Sequence, residues 1–262
     1  MLQRLVCKLD IIEKGEKKYI PGDALHGIIM EHINPDYAYE LHQQNSRPYS
    51  QYVEARSDGI YWSIQTLTQD AAQQIIDPLA SASFSGFHLK RINSNISVTE
   101  KTQSEMPIQD LVDLYYFERS ERIFRIRFIT PTSFKSSGDY VFYPDLRLFF
   151  GSLMRKYSSI FESNDEEDSE TLGSIVENSK IVRYDLRSVY NEIERVRLPG
   201  FCGMIVIKTT GAQPLINYMH FLMKFGEYSG VGIKCAMGMG AMRIISKPGE
   251  KTNKVEGVIV GA

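Results

Sequence analysis

The chain reads as an α+β protein built from two βαββαβ units in tandem. Three observations predict this. Period-two stretches alternate with amphipathic helical stretches along the whole length, and the order strand, helix, strand, helix, strand recurs in the second half. No low-complexity linker separates the halves, and 262 residues are enough for two small domains that each bury a core. Hydrophobic residues make up 43% and charged residues 24%, as in an ordinary folded domain.

RLVCKLDII (4–12) alternates polar and apolar residues and predicts the first strand. Pro21 then opens GDALHGIIMEHI (22–33), where Asp23 is the expected N-cap and Leu25, Ile28, Ile29 and Ile33 form one apolar stripe. A short helix is expected over DYAYELHQ (36–43), and a strand over GIYWSIQTL (59–67). TQDAAQQIIDPLA (68–80) predicts a helix that stops near Pro78, and FHLKRINSNISV (87–98) a strand. One further strand is needed, near Tyr49–Val53 or in the connections. The order is then that of a ferredoxin-like domain.

The second unit begins with RIFRIRFITPT (122–132), whose arginines alternate with apolar residues, so that Arg125 and Arg127 share one face and Arg122 takes the other. A helix starting at Pro144 is expected over 144–160, strands over KIVRYDLRSV (180–189) and GFCGMIVIKTT (200–210), a helix over 213–229 and a last strand over AMRIIS (241–246). Polar residues from Pro248 predict a loose tail. The boundary falls within 100–121, which gives domains 1–119 and 120–262.

Net charge is −2, but ESNDEEDSE (162–170) alone holds six acids, and outside it 30 bases face 26 acids. A basic face is therefore compatible with the total. The three cysteines form no CxxC pair and read as small buried residues. No apolar run is long enough to span a membrane, and the N-terminus lacks the apolar core of a signal peptide, so a cytoplasmic protein is expected.

The stretch GVGIKCAMGMG (230–240) holds four glycines and Lys234. It lies between a helix and a strand with no βαβ unit after it, which excludes a dinucleotide site, and GxxxxGK[ST] is absent. Two readings stand. In one, the glycines supply positive φ angles in a tight connection. In the other, their amides form a cradle for phosphate, with Lys234 adding charge.

FGEYSGVGIKCAMGMGAMRI (225–244) resembles the C-terminal glycine-rich motif of the RAMP superfamily, and within it that of the CRISPR repeat-RNA endoribonucleases, the Cas-six family. Three other stretches agree in order: LHGIIMEHINPDYAYELHQQNSRPYSQYV (25–53), FITPTSFKSSGDYVFYPDLRLFFGSLMRKY (128–157) and LPGFCGMIVI (198–207). The resemblance implies two RRM-like ferredoxin domains and one metal-independent cut per repeat of a precursor crRNA. That cut proceeds by 2′-OH attack, leaves a 2′,3′-cyclic phosphate and a 5′-OH, and releases guide crRNAs. It implies CRISPR repeat RNA as partner, hand-off to an effector complex, no cofactor and no metal, in a monomer or homodimer. The alternative is a non-catalytic RAMP subunit that only binds RNA. A mononucleotide-binding enzyme is disfavoured by the context of the glycine stretch.

His42 matches the family's catalytic histidine, and histidine suits proton transfer near neutral pH. By its own chemistry it equally fits a surface histidine at a helix end. Arg47 falls where the family often carries a catalytic lysine. Arginine does not act as a base, so it is expected to clamp a phosphate oxygen. Where some members carry a tyrosine, this chain has Met30. His26, four residues earlier, is the expected second acid/base, with Tyr37 and Tyr39 as substitutes. For RNA contact the expected residues are Gly230, Gly232, Lys234, Gly238 and Gly240, with Lys135, Arg147, Arg155, Arg125 and Arg127. His32 is expected in solvent, His88 in solvent or in weak contact with RNA, and His220 in a core; no histidine has metal-motif spacing.

Overall fold

Period-two burial builds the first sheet. In β1 (Leu2–Ile11), Leu5, Cys7 and Leu9 point inward, and Cys7 lies opposite Trp62 of β3. The computed structural model describes residues 1–11, 20–44, 46–117, 119–162, 167–245 and 258–259. After β1 come α1 (Gly22–His32), α2 (Pro35–Gln43), β2 (Tyr49–Arg56) and β3 (Gly59–Thr66). A composite helix follows, made of α3 (Gln69–Ala71), a π-turn (Ala72–Ile76) and α4 (Asp77–Ala80), and then β4 (Gly86–Leu89) and β5 (Ser94–Met106). The sheet order is β5-β1-β3-β2, all antiparallel, with β4 paired to the start of β5 and β12 (Val258–Ile259) at its outer edge.

α5 (Ile108–Phe117) leads to the second unit: β6 (Ile123–Thr132), the short hairpin β7 (Phe134–Ser136) and β8 (Asp139–Val141), α6 (Leu146–Phe161), α7 (Ser169–Glu177), β9 (Ser179–Ile193), β10 (Val196–Thr209), α8 (Gln213–Ser229) and β11 (Met242–Ile244). Its sheet runs β11-β6-β10-β9. In each unit the four principal strands therefore lie in the order fourth, first, third, second, which is the ferredoxin-like arrangement. The first core gathers α1, α2 and the composite helix around Trp62, and the second gathers α6 and α8 around Phe128, Phe150 and Phe225. α5 packs on α8, so its Leu111 belongs to the second core.

Several local expectations are corrected. Asp23 is not the N-cap of α1. Pro21 holds that position without a side-chain cap, and the Asp23 carboxylate instead accepts from Ala24 N, Glu194 N and Arg91. The composite helix ends at Ala80, two residues after Pro78, as expected, but it is not a plain α-helix. The π-turn widens the helix just before Pro78, and the missing N–H falls in the first turn of α4. Residues 87–98 are not one strand but a hairpin, reversed through a 3₁₀ turn (Lys90–Ile92) and left-handed Asn93. Pro144 precedes α6, whose N-cap is Asp145, accepting from Leu148 N at 2.8 Å. α7 was not foreseen; Asp168, the last acid but one of the acidic stretch, caps it. The tail from Pro248 lies outside the described residues apart from β12.

The units are joined through buried polar contacts. Gln51 of β2 donates to Gly22 O at 2.6 Å and to Ala236 O at 3.1 Å, while its own oxygen accepts from Trp62 Nε1 at 3.0 Å. Ser50 Oγ lies 2.5 Å from Tyr228 O, and Arg4 donates to Glu227 O at 2.9 Å.

Candidate active site

α1 turns Leu25, Ile28 and Ile29 into the first core, which leaves His26 on its flank. The chain from the end of α2 to the start of β2 passes that flank and brings Arg47 and Tyr49 to it. The Tyr49 hydroxyl is 2.6 Å from His26 Nδ1, and Arg47 NH1 is 3.4 Å from His26 Nε2. Both rings are buried, and burial pushes the tyrosine's phenol pKa up.

Opposite this segment stand the glycine stretch, β7 and one face of α6, and between them opens a cleft of about 610 Å³. Arg47, Lys135, Arg155, Lys156 and Lys234 line it, with no acid among the described lining residues. Such a concentration of positive charge suits a phosphodiester chain. The five bases differ in what else they hold. Arg155 is paired with Glu167 of the acidic stretch. Lys156 donates to Ser229 O at 2.8 Å and sits 2.9 Å from Cys235 Sγ, bracing the glycine stretch. Lys135 and Lys234 are exposed, and Lys234 takes a left-handed backbone, φ 58°, that turns it out of the packed loop.

His42 sits on the last turn of α2, exposed, two residues before Gln44 of the cleft wall. Its charge reaches His26. Burial first, then Arg47, His42 and Lys234, bring the His26 imidazole down to about 4, with Asp23 opposing weakly. His26 is thus neutral at physiological pH, and both its nitrogens face protein partners. Tyr39, three residues before His42 on α2, is 67% exposed, whereas Tyr37 is buried. Met30 packs against the first core.

The glycines have a structural account. Gly230, Gly232, Gly238 and Gly240 all have positive φ. Their amides are taken by Gly226 O, Ser152 Oγ, Cys235 O and Pro131 O respectively, so they are not a free phosphate cradle. A Cβ on Gly232 would run onto the Ser133 carbonyl, and one on Gly240 onto the Val231 carbonyl. Of the four, Gly232 alone lines the cleft. What the stretch offers to the cleft is the Lys234 side chain.

Arg147 is exposed but off the cleft, because α6 presents Leu148, Ser152, Arg155 and Lys156 to it. Arg125 and Arg127 share a face as expected, but it is the outer face of the second sheet. Arg127 lines a separate pocket of about 380 Å³ with Arg187 and β2. The remaining histidines have ordinary partners: His32 on Ile28 O, His88 on Asn95 and half-buried His220 on Ser120. Sequence reasoning missed Tyr49 and Lys156. Lys156 was accessible from its helical spacing to Ser152, whereas no local pattern marks Tyr49, 23 residues from its partner His26. Among the described residues no group of three metal-ligating side chains occurs, and no helix is long and apolar enough to cross a membrane.

Comparison with known proteins agrees with this architecture. The sequence profile of the family described as CRISPR-associated endoribonuclease Cas6 matches residues 126–242. A CRISPR-associated endoribonuclease Cas6 of Mycobacterium tuberculosis is 37% identical over 93% of this chain and 78% of its own length. One from Streptococcus thermophilus is 35% identical over 84% of this chain and 89% of its own. Among solved structures, a Thermus thermophilus Cas6 product complex superposes with a TM-score of 0.75 at 21% identity, covering 94% of this chain and 100% of that one. A Cas6-related protein from Pyrococcus furiosus superposes with a TM-score of 0.63 at 13% identity, over 95% and 100% of the two chains.

Proposed function

Because the chain belongs to the CRISPR-associated endoribonuclease Cas6 family, we propose that it cuts CRISPR repeat sequences in precursor crRNA to release guide crRNAs, using the basic cleft between its two units. The observation that carries the proposal is the convergence of Arg47, Lys135 and Lys234, from three separated segments, on one cleft beside His42.

The reaction we infer needs only these side chains. The 2′-oxygen attacks the adjacent phosphorus as the bond to the 5′-oxygen breaks. A proton leaves the 2′-OH, another reaches the departing 5′-oxygen, and the phosphorane gathers negative charge in between. Arg47 and Lys234 supply fixed positive charge where that charge develops. His42 is the proton carrier on the solvent side, and Tyr39, on the same helix, is the remaining candidate for the second transfer. Lys135 and Arg155 hold flanking phosphates, which positions the RNA without reading bases. The products are a 2′,3′-cyclic phosphate and a 5′-OH. Hand-off of the product to an effector complex belongs to the same proposal, as does the division into domains 1–119 and 120–262.

The test is incubation of the protein with repeat RNA in excess EDTA, beside His42→Ala. A single cut with a cyclic phosphate end, absent in the variant, is expected. Tight binding with no cut would instead identify an RNA-binding subunit, the reading that Met30, in place of a tyrosine, would favour. A cut that survives His42→Ala would move the proton transfer to another group.

A further inference from the structure

A buried imidazole and a buried phenol stand directly behind Arg47, and the reaction described above uses neither. Guanidinium nitrogens only donate, so the contact from Arg47 NH1 to His26 Nε2, at 3.4 Å, requires a lone pair on that nitrogen. The ring hydrogen of a neutral imidazole must then sit on Nδ1, where it donates to the Tyr49 hydroxyl oxygen at 2.6 Å. Tyr49 is 2% exposed and its ring lies nearly coplanar with the imidazole, hydroxyl end toward it, with 6.3 Å between centroids and 16° between planes. Tyr49 and Arg47 are two residues apart at the entry to β2, whereas His26 comes from α1, so the three close a ring across two elements.

We propose that Tyr49 and His26 are positioning residues: the tyrosine locks His26 as its Nδ1–H tautomer, and the Nε2 lone pair of that tautomer aims the Arg47 guanidinium into the cleft. An arginine side chain has several rotatable bonds and would otherwise sample many directions, and a charge stabilises a transition state only if it is already in place when the reaction occurs. A lysine at position 47 would have no planar fork to receive the same support. The inference rests on the endoribonuclease reading for its kinetic consequences and on geometry alone for the tautomer.

The ionisable groups that face His26 are Arg47, His42, Lys234, Asp23 and Tyr49, of which the first three are cationic when charged. The three cations favour the neutral ring, as the lock requires, and Asp23 opposes them.

The experiment compares single-turnover cleavage of repeat RNA, from about pH 5.5 to 8.5, for His26→Ala, His26→Gln and Tyr49→Phe, each alone and with Arg47→Ala. His26→Ala and Tyr49→Phe should lower the maximal rate about tenfold while leaving the RNA dissociation constant within about twofold, the loss of one aligned hydrogen bond. His26→Gln keeps an acceptor for Arg47 but carries no titrating proton. It should retain most of the rate and the unchanged pH profile. In the Arg47→Ala background none of the three should reduce the rate further. A His26→Gln protein as slow as His26→Ala, with one limb of the pH profile gone, would overturn the inference in favour of proton transfer by His26. Additive losses with Arg47→Ala would overturn it as well. If the parent chain does not cut repeat RNA, the endoribonuclease reading fails, and nitrogen NMR of the His26 ring in RNA-free protein decides the lock. A non-titrating Nδ1–H form near neutral pH upholds it, and an Nε2–H form or a ring titrating there overturns it.

Discussion

Gly22 at the start of α1 and Gly238 in the glycine stretch meet backbone to backbone: a Cβ on either would lie 2.9 Å from the Cα of the other. This contact joins the two units at the cleft, since Gly22 is four residues from His26 and Gly238 four from Lys234. The glycines of the stretch thus act chiefly by letting segments of the chain approach closely, and the stretch carries Lys234 to the cleft.

Gly238→Val should therefore destabilise the protein by about 2 kcal/mol or more, through a backbone clash and a positive φ of 92° that a β-branched residue resists. Cleavage should fall with it, because Lys234 moves. Gly27→Ala, in the same helix as Gly22 with nothing within 4 Å of its Cβ, should instead stabilise by about 0.5–1 kcal/mol. Denaturant melts of the two variants check both signs.

Gln51→Ala removes the donor to Gly22 O and Ala236 O and the acceptor of Trp62 Nε1, all in buried surroundings. Leaving those groups unpaired should lower stability by roughly 2–4 kcal/mol, more than a loss of packing of that size would. A melting temperature within a degree or two of the parent would show that the junction is not held this way.

Lys135→Ala and Lys234→Ala should each weaken RNA binding and reduce the magnitude of the slope of log affinity against log salt by about one, as expected for a phosphate contact. Arg147→Ala, off the cleft, should change affinity less than either. Salt titrations of binding distinguish these cases; an Arg147 effect as large as that of Lys135 would extend the RNA path beyond the cleft.

Acid should destabilise the fold through its histidines. His26 and His220 both sit near 4 in the folded chain because burial disfavours the charged ring, against about 6.5 when unfolded. Between those values the unfolded state binds more protons, so stability rises with pH from about 4 to about 6.5 and is level above. For His26 the difference amounts to on the order of 3 kcal/mol across that window. His26→Gln should flatten the dependence in chemical denaturation between pH 4.5 and 7; an undiminished slope would assign the acid sensitivity to other groups.

The strand and helix pattern, the ferredoxin-like order and the repetition of that order were all legible in the sequence, because a half-buried strand and an amphipathic helix write their period directly into polarity. The helix over 213–229 and the strands at 59–67 and 122–132 are found nearly as read. The hairpin over 86–106 was not legible, since its reversal depends on Asn93 taking a left-handed backbone in the middle of a polar stretch. Nor was the π-turn over Ala72–Ile76 within the helix that ends near Pro78. At the site, His42, Arg47 and Lys234 could be named from residue type and motif, because proton transfer and charge require particular side chains. Their arrangement could not. Burial of His26, the turn of Arg147 away from the cleft, and the neutral ring held between Tyr49 and Arg47 depend on distances between segments far apart in the chain. Desolvation and coulombic fields act through space, and only the packed structure determines which groups share that space.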